Sequence, residues 1–376
     1  MVASHRSMTM RVAVIGAGIL GASTAFHAAR AGAEVVIVDH AHRGQATAAG
    51  AGIVCPWAGE TDDPDFDRIA AAGGAYYSEL LPALAGQDLG FSRVGALCVA
   101  TNDDELDALE HVVRQRRATA PAAGAITRIA ATEARKLFPP LHPALGAVHI
   151  AGAARVDGRK LAAALLHAAR SHGATTREGL ARLVTEGDRV TGVALGAEMI
   201  AADVVVVAAG AWAPALLEPI GLALAVAPQR GQIVHLGLAG QATGAWPVVL
   251  PRGSHYLLAF DDARVVVGAT RENDAGFDYR VTAAGQAEVL HEALKVAPGL
   301  ARATVLETRI GFRPVGPDLR PLLGRALDHA GLLIGNGLGP SGLTIGPLAG
   351  RLLAEVALGQ VPAFNMAPYR PMRAPR

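Results

Sequence analysis

The chain has 376 residues, a length that allows two domains with separate hydrophobic cores. Hydrophobic residues make up 51% of it, which is typical of a packed α/β enzyme and excludes a disordered protein. The 34 basic and 33 acidic residues give a net charge of +1, so the basic excess of a nucleic-acid-binding protein is missing. We therefore expect a small-molecule ligand and no nucleic-acid partner.

Cysteine usage and apolar segments indicate the compartment. Cys55 and Cys98 cannot form a disulfide framework, and their scarcity fits a reducing environment. The segment Met1–Met10 lacks the apolar core of a signal peptide, and no apolar run of about 18 residues is free of glycine, proline or charge. We expect a cytoplasmic protein with no transmembrane segment, while peripheral membrane attachment and homo-oligomer formation stay open. The 13 histidines show no metal-ligand spacing, so no metal site is expected.

The first elements in chain order predict a dinucleotide-binding βαβ unit. Apolar strands are predicted at 12–15 and 35–39, and between them the glycines follow the G-x-G-x-x-G spacing: Gly16, Gly18 and Gly21. The first glycine permits a tight turn, the second lets the backbone approach a pyrophosphate, and the third lets helix and strand pack closely. Asp39 ends the second strand, where its carboxylate can accept hydrogen bonds from a ribose. The spacing, both strands and the terminal acid together favour nucleotide binding over an ordinary glycine-rich turn.

The middle of the chain alternates between helical and β-rich patterns. A loop of small residues is predicted at 44–53, followed by an acidic boundary at 60–67 and a mainly helical region from Phe66 to about Leu145. Within that region a polar, charged helix is predicted at 103–117, and an amphipathic helix is predicted after it at 159–172.

Strands dominate the remainder. The patterns predict a hairpin of 179–186 with 189–195, a buried central strand at 203–208, a β-rich region over 222–308 that includes strands 226–236, 256–260 and 264–270, and a last strand at 331–334. A glycine-rich turn at 335–342 then leads into a helix that runs through Glu355.

Nucleotide-type segments thus occur at the beginning, middle and end of the chain, which favours two interleaved domains. The predicted fold is α/β, with a Rossmann-type nucleotide domain formed by 10–60, 150–220 and 310–376. A β-rich substrate-binding domain is predicted over 61–149 and 221–309.

Several segments, in their order and spacing, resemble the flavin-dependent amine and amino-acid oxidoreductases, the family of glycine oxidase, D-amino-acid oxidase and dehydrogenase, and sarcosine oxidase. They are Val14–Gly21, Val205–Trp212, Pro228–Gln232, Val267–Glu272, Gly311–Asp318 with Pro321–Gly324, and Gly337–Gly350. The resemblance implies that the nucleotide is FAD. It also implies that FAD is non-covalent, because the cysteine that sarcosine oxidases use for covalent attachment is missing here.

The resemblance further implies which residues contact FAD. Together with the motif glycines Gly16, Gly18 and Gly21, they are Ile19, Leu20, Asp39, His40, Thr47, Ala51, Gly52, Ile53, Ala181, Gly210, Leu338, Gly339, Pro340, Ser341, Gly342, Leu343 and Thr344. The last seven begin the final helix, whose free amides and positive dipole end stabilise the negative charge of a reduced flavin. The alternative for this segment is an ordinary strand-to-helix turn.

Two residues are implied for the substrate. Arg313 matches the family's carboxylate clamp, and its planar guanidinium suits both oxygens of a carboxylate. Tyr256 matches the tyrosine that hydrogen-bonds the same carboxylate or covers the substrate. The alternatives are an ion pair of Arg313 with Asp318 and a packing role for Tyr256. Glycine oxidase has a second arginine where this chain has Pro340, which argues against glycine itself.

These residues lead to a function. The hypothesis is oxidation of a small D-amino acid or glycine-like amino acid by hydride transfer from Cα to flavin N5, with no catalytic base and with hydrolysis of the imine to keto acid and ammonia. The acceptor that reoxidises the flavin is oxygen or a quinone. One alternative is a secondary-amine oxidase or dehydrogenase acting on a sarcosine- or proline-like substrate, and another is an FAD-binding subunit of a larger amine dehydrogenase. A pyridine-nucleotide dehydrogenase is a third. A flavoprotein acting on tRNA is a fourth, and the balanced charge argues against it.

Overall fold

The computed structural model describes residues 9–59 and 61–373. Residues 1–8, which make up most of the segment predicted to lack a signal peptide, lie outside the described residues. Glu60, the first residue of the predicted acidic boundary, also lies outside them. The helices are α1 (Ile19–Arg30), α2 (Ala46–Ala49), α3 (Pro64–Ala83), α4 (Asp103–Thr119), α5 (Ala131–Leu137), α6 (Gly158–Ser171), α7 (Ala213–Leu217), α8 (Ala283–Val296) and α9 (Gly342–Ala357). The strands are β1 (Arg11–Ile15), β2 (Glu34–Asp39), β3 (Ile53–Val54), β4 (Ala96–Ala100), β5 (Ile126–Ile129), β6 (Gly146–Ile150), β7 (Ala154–Arg155), β8 (Thr175–Glu178), β9 (Ala181–Glu186), β10 (Arg189–Leu195), β11 (Glu198–Ala201), β12 (Val204–Val207), β13 (Ala227–Gly237), β14 (Val248–Pro251), β15 (Tyr256–Phe260), β16 (Arg264–Gly268), β17 (Thr304–Val315), β18 (Leu322–Arg325) and β19 (Leu332–Asn336).

The first sheet has six strands in the order β18-β19-β12-β1-β2-β8, and only β18 runs antiparallel to its neighbour. Alternate residues of β1 enter different cores. Val12 and Val14 pack with helices α1, α6 and α9, whereas Ala13 and Ile15 pack with the small sheet β9–β11. A strand that is buried on both faces has no polar side, which explains the apolar run 12–15 of β1 and the apolar sequence of β12.

Helix α9 crosses α1 at very close range. The Ser23 hydroxyl donates to the Pro347 carbonyl at 2.7 Å, and a Cβ on Gly350 would lie 2.4 Å from the Ser23 Cβ. A Cβ on Gly346 would lie 2.9 Å from Ile19, the first residue of α1. Because glycines line this contact, the N-terminal turns of α1 and α9 lie side by side at one edge of the first sheet.

The second sheet has eight strands in the order β17-β13-β16-β15-β14-β4-β6-β5. Helix α4 packs on one face through Leu106 and Val113, and α8 packs on the other through Val289. Its edge pair β13–β17 places Gln229 opposite Arg313. Strand β17 then leaves this sheet, and the chain enters β18 of the first sheet within seven residues. The carboxyl end of β17 therefore lies at the junction of the two sheets.

The α/β fold class is confirmed, and so are the predicted hairpin β9–β10 and the strands β1, β2, β12, β13, β15, β16 and β19. The region 66–145 is mainly helical as predicted, with α3, α4 and α5, but the prediction missed β4 and β5, which form part of the second sheet. The five residues of β4 are all buried, and so short an apolar run has no period that separates a strand from a helix. The β-rich prediction for 222–308 missed α8.

The interleaved domain boundaries stay a prediction. Two segments lie with a different sheet from the one that the predicted boundaries assign to them. Helix α3, which was assigned to the substrate-binding domain, packs with the first sheet's helices, and its Tyr77 hydroxyl donates to the Leu343 carbonyl at 2.6 Å. Strand β17 carries residues 310–315, which were assigned to the nucleotide domain, into the second sheet. Among the helices of the described part, none combines the length and apolar character needed to cross a bilayer.

Candidate active site

A cavity of about 1300 Å³ extends from the carboxyl edge of the first sheet to the β13–β17 end of the second sheet. At the first end it is lined by the turn after β1, the end of β2 and the start of α9. Residues of β13, β15 and β17 line the other end. A cavity of this size accommodates a dinucleotide together with a small substrate.

The turn after β1 has the geometry that its glycines predict. Gly16 adopts φ +106°, and a Cβ there would lie 2.4 Å from the Ala208 carbonyl oxygen. A Cβ on Gly21 would lie 1.9 Å from the Gly16 carbonyl oxygen, so only glycine allows α1 to approach β1 so closely. Gly21 therefore lies beneath the turn and does not line the cavity, in contrast to Gly16 and Gly18.

Asp39 and Thr47 fix the backbone around this turn. The Asp39 carboxylate accepts from the Ala17 amide at 3.0 Å, from the Ala41 amide at 3.0 Å and from Gln45 Nε2 at 3.1 Å. The Thr47 hydroxyl accepts from the Ile19 amide at 3.0 Å. These bonds orient both side chains on the cavity wall, where a carboxylate at the end of β2 is placed to accept from a ribose.

The final turn forms a third wall. The Asn336 side chain is buried and joins the turn to the end of β12, donating to the Gly210 carbonyl at 2.9 Å and accepting from the Gly337 amide at 2.8 Å. Thr344 Oγ1 donates to the Ile53 carbonyl at 3.2 Å, which joins the start of α9 to β3. No side chain caps the amino end of α9. Its first-turn amides are thus available to an anionic group.

Apart from Gly21, every residue predicted to contact the cofactor lines this one cavity. They are Gly16, Gly18, Ile19, Leu20, Asp39, His40, Thr47, Ala51, Gly52, Ile53, Ala181, Gly210, Leu338, Gly339, Pro340, Ser341, Gly342, Leu343 and Thr344. Segments that are up to 328 positions apart in the sequence thus converge on one surface.

Arg313 and Tyr256 line the opposite end of the cavity. Arg313 Nη1 donates to the Thr270 carbonyl at 3.0 Å and to Gln229 Oε1 at 3.3 Å, and the guanidinium also makes a side-chain hydrogen bond with the Tyr256 hydroxyl. The expected alternative, an ion pair with Asp318, is wrong, because Asp318 binds Arg320 at 2.9 Å and also pairs with Arg373. Arg313 makes no ion pair with any described carboxylate.

Electrostatics at this end favour an anion. Burial lowers the pKa of the Arg313 guanidinium, and Arg271 acts in the same direction. Burial also raises the pKa of the Tyr256 hydroxyl, which therefore stays protonated and can donate a hydrogen bond. Asp39, at the far end, is the one acidic side chain among the described residues of the lining. The wall around Arg313 and Tyr256 is cationic, as carboxylate recognition requires.

Sequence reasoning missed the glycines that make room for these two side chains. A Cβ on Gly231 would lie 2.6 Å from both terminal nitrogens of Arg313, and a Cβ on Gly268 would lie 2.9 Å from the Tyr256 hydroxyl oxygen. Both glycines fall within segments that carry the family resemblance, at 228–232 and 267–272, but their partners lie in other strands. No local sequence pattern marks three further residues that line the cavity, and the sequence analysis did not predict them: Gln45, Asn336 and Arg271.

Three further cysteine and histidine side chains, Cys55, His255 and His235, have structural environments. Cys55 lines the cavity, and burial raises the pKa of its thiol to about 12, so it is an unreactive small apolar group. His255 lines the cavity with Nε2 at 3.5 Å from Glu288. His235 lies away from the cavity wall and is bonded to Arg264.

The fold and this cavity are typical of an oxidoreductase that binds a dinucleotide. The chain belongs to the FAD dependent oxidoreductase family, whose profile matches residues 11–356. FAD fits the residues present, because glycines that exclude a Cβ and the amino ends of α1 and α9 form the nucleotide wall. The protein is thus an FAD-dependent oxidoreductase acting on amines or amino acids.

Relatives cover almost all of the chain. The uncharacterized oxidoreductase YurR of Bacillus subtilis is 48% identical over 96% of this chain and 98% of its own length. Glycine oxidase of Pseudomonas putida is 32% identical over 97% of this chain and 99% of its own. Iminodiacetate oxidase from Chelativorans sp. BNC1 is 55% identical in sequence, and the match covers 96% of this chain and 99% of that chain. Its crystal structure superposes on this one with a TM-score of 0.94.

Proposed function

We propose that this protein oxidises the CH–N bond of a small amino acid whose nitrogen carries a substituent. The observation that carries the proposal is Arg313, a guanidinium without a carboxylate partner at the end of the cavity opposite the nucleotide wall. Its guanidinium binds the substrate carboxylate, and the Tyr256 hydroxyl, which contacts that guanidinium, donates to the same carboxylate. This pose directs the Cα hydrogen along the cavity toward the nucleotide wall.

When bound, FAD supplies the two-electron acceptor for the Cα hydride. The residues around Arg313 hold the substrate and offer no carboxylate base, since Asp39 is the one acidic side chain of the described lining. The substrate therefore reacts as the neutral amine: its Cα–H bond breaks, a carbon–nitrogen double bond forms, and the nitrogen loses its proton to water. Water then adds to that double bond, and the carbon–nitrogen bond breaks to give an oxo acid and an amine.

Two observations favour a substituted nitrogen. Iminodiacetate, which the 55% identical relative oxidises according to its name, is a secondary amine. Pro340 also lines the cavity at the position where the glycine-oxidase resemblance implies a second arginine. A wall without that charge suits a substrate with further carbon atoms on nitrogen.

A primary amino acid is the second candidate. The 32% identity with glycine oxidase over nearly the whole chain favours it. Its oxidation by the same hydride transfer gives a keto acid and ammonia.

Anaerobic mixing tests the proposal. N-methylglycine and iminodiacetate are expected to bleach the flavin absorbance faster than glycine, D-amino acids or L-amino acids. Arg313→Ala is expected to lower kcat/KM by about 100-fold with FAD still bound, because a charge-assisted hydrogen-bond pair is lost. Arg302→Ala, an exposed arginine outside the cavity, is the matched control. Unchanged turnover by Arg313→Ala contradicts the carboxylate assignment.

The electron acceptor is tested in the same experiment. Admission of air after bleaching distinguishes oxygen, which releases hydrogen peroxide, from a quinone, which must be added. Acid precipitation that releases all of the yellow colour supports non-covalent FAD. A cytoplasmic location and a homo-oligomer remain predictions that cell fractionation and sedimentation test.

A further inference from the structure

The substrate end of the cavity carries more positive charge than one carboxylate requires. Besides Arg313, the wall there includes Arg271, Arg252 and His255. Arg252 has Glu105 at 3.9 Å, and His255 has Glu288 at 3.5 Å. Arg271 and Arg313 are the two guanidinium groups of this wall for which the described residues provide no carboxylate.

Arg271 is kept unpaired although an acid is next to it in sequence. Glu272 binds Arg230, whose Nη2 lies 2.5 Å from it, and it also accepts from Gln232 Nε2 at 2.8 Å and from the Thr270 hydroxyl at 2.7 Å. These partners hold the Glu272 carboxylate away from Arg271. The Arg271 side chain is exposed, lines the cavity and interacts electrostatically with both Arg313 and Tyr256.

We infer that Arg271 binds a second carboxylate of the substrate, so that the substrate class is amines with a carboxylate on each side of the nitrogen. This inference rests on the proposed function and adds the chemistry of the nitrogen substituent. Two like charges that face one cavity without an anion repel each other, and a dianion between them removes that repulsion.

The two arginines also define the direction of the substrate. Arg313 is half-buried and is fixed by the Thr270 carbonyl, whereas Arg271, the next residue after Thr270, is exposed at the mouth. The carboxylate next to the reacting carbon therefore binds Arg313 inside the cavity. The carboxylate of the nitrogen substituent lies at the mouth on Arg271.

Iminodiacetate is the smallest amine with this arrangement. Loss of one methylene hydride and the nitrogen proton gives the imine, and addition of water breaks the carbon–nitrogen bond to give glyoxylate and glycine. The two electrons pass to FAD and then to the oxygen or quinone acceptor.

Arg271→Gln tests the inference, with Arg280→Gln as the matched control. Arg280 lies nine residues further on, is exposed, pairs with Asp278 and does not line the cavity. Arg271→Gln is expected to lower kcat/KM for iminodiacetate by about 10-fold and to change that for N-methylglycine by less than about 2-fold, because only the former has the second carboxylate. Arg271→Lys is expected to recover part of the loss, and Arg280→Gln to match the wild type.

A binding measurement separates this inference from the proposed function. Oxydiacetate has both carboxylates but an ether oxygen in place of the amine, so it binds without reacting, and methoxyacetate has one carboxylate. In calorimetric titrations of the FAD-loaded protein, Arg271→Gln is expected to raise the Kd for oxydiacetate by about 10-fold and to leave the Kd for methoxyacetate unchanged.

Equal losses for both ligands place Arg271 on the first carboxylate and overturn the inference, as does no loss for either. If no amine bleaches the wild-type flavin but oxydiacetate shows the expected difference, the proposed function fails and the second carboxylate site stands.

Discussion

Arg313 reaches the cavity across the face of Gly231, one strand away. The two strands pair so that Gly231 lies opposite Gly311, and the Arg313 guanidinium lies over Gly231. A methyl group on Gly231 would overlap both terminal nitrogens, each 2.6 Å from the Cβ position. The position of the Arg313 guanidinium therefore depends on a glycine in the neighbouring strand.

Gly231→Ala is expected to raise KM for the amine substrate by about 10-fold or more, because the guanidinium must move off its bonds to Thr270 and Gln229. FAD affinity is expected to stay unchanged. Steady-state kinetics and flavin titration measure the two quantities. The control is Gly316→Ala, close to the end of β17, where the nearest atom is 3.6 Å from a Cβ. Equal kinetics for the two variants would contradict the role of Gly231.

His235 shows the same dependence on distant neighbours, here in its charge. Its side chain is 1% exposed, and Arg264 Nη1 donates to its Nδ1 at 3.1 Å, a bond that requires the unprotonated nitrogen. Burial, with Arg309 and Arg264, lowers its pKa to about 4, although Glu307 at 3.6 Å acts in the opposite direction. The folded protein therefore keeps His235 neutral at a pH where the unfolded chain protonates it.

Because the folded pKa lies below the unfolded one, stability falls as pH decreases from about 6.5 toward 4. Between pH 7.5 and 5.0 the His235 contribution to the unfolding free energy is expected to fall by about 2 kcal/mol. Urea unfolding at both pH values measures this, and His235→Gln is expected to remove that part of the pH dependence. His111→Gln, at an exposed position of α4, is expected to retain it. If His235→Gln and the wild type lose the same unfolding free energy between the two pH values, His235 is not the group responsible.

At the scale of elements, the pair α1 and α9 forms the anion-binding end of the site. The amino ends of both helices face the cavity, and their spacing is fixed by small residues along the crossing. At Gly350 a Cβ would lie 2.4 Å from the Ser23 Cβ and 2.8 Å from the Leu20 carbonyl oxygen. A larger residue there separates the helices and moves their first turns apart.

Gly350→Ala is expected to lower the unfolding free energy by about 1–3 kcal/mol through overpacking, despite the better helix propensity of alanine. It is also expected to weaken FAD binding, since both helix ends shift. Asn102→Ala is the control, because it removes the cap of α4, whose Glu105 amide donates to Asn102 Oδ1 at 2.9 Å, on the second sheet. That change costs about 1 kcal/mol of stability without altering FAD affinity. If both variants change FAD affinity equally, the spacing of α1 and α9 does not control FAD binding.

At the scale of the whole molecule, the two sheets contribute different halves of one cavity. The first sheet and its helices provide the nucleotide wall, and β13, β15 and β17 of the second sheet provide the substrate wall. The chain crosses between the sheets repeatedly, as when β17 leads into β18. A rearrangement of either sheet therefore alters the distance between Arg313 and the nucleotide wall.

Local patterns allowed much of the first sheet to be predicted. The glycine spacing at 16–21 has a steric cause within a short segment, namely the tight turn at Gly16 and the approach of α1 at Gly21. The resemblance added Arg313 and Tyr256, and both line the cavity. Strand β4 and helix α8 were missed because a short buried run and a helix within a β-rich region lack a distinct period.

The sequence by itself determined the nucleotide-binding βαβ unit, because the sterics of its glycine turn act within a few residues. The tertiary structure alone decided which charges stay unpaired. Asp318 binds Arg320 and Arg373, and Glu272 binds Arg230, so Arg313 and Arg271 are left to the cavity. Ion pairing depends on which strands and turns meet in space, and a local sequence pattern does not record those distances.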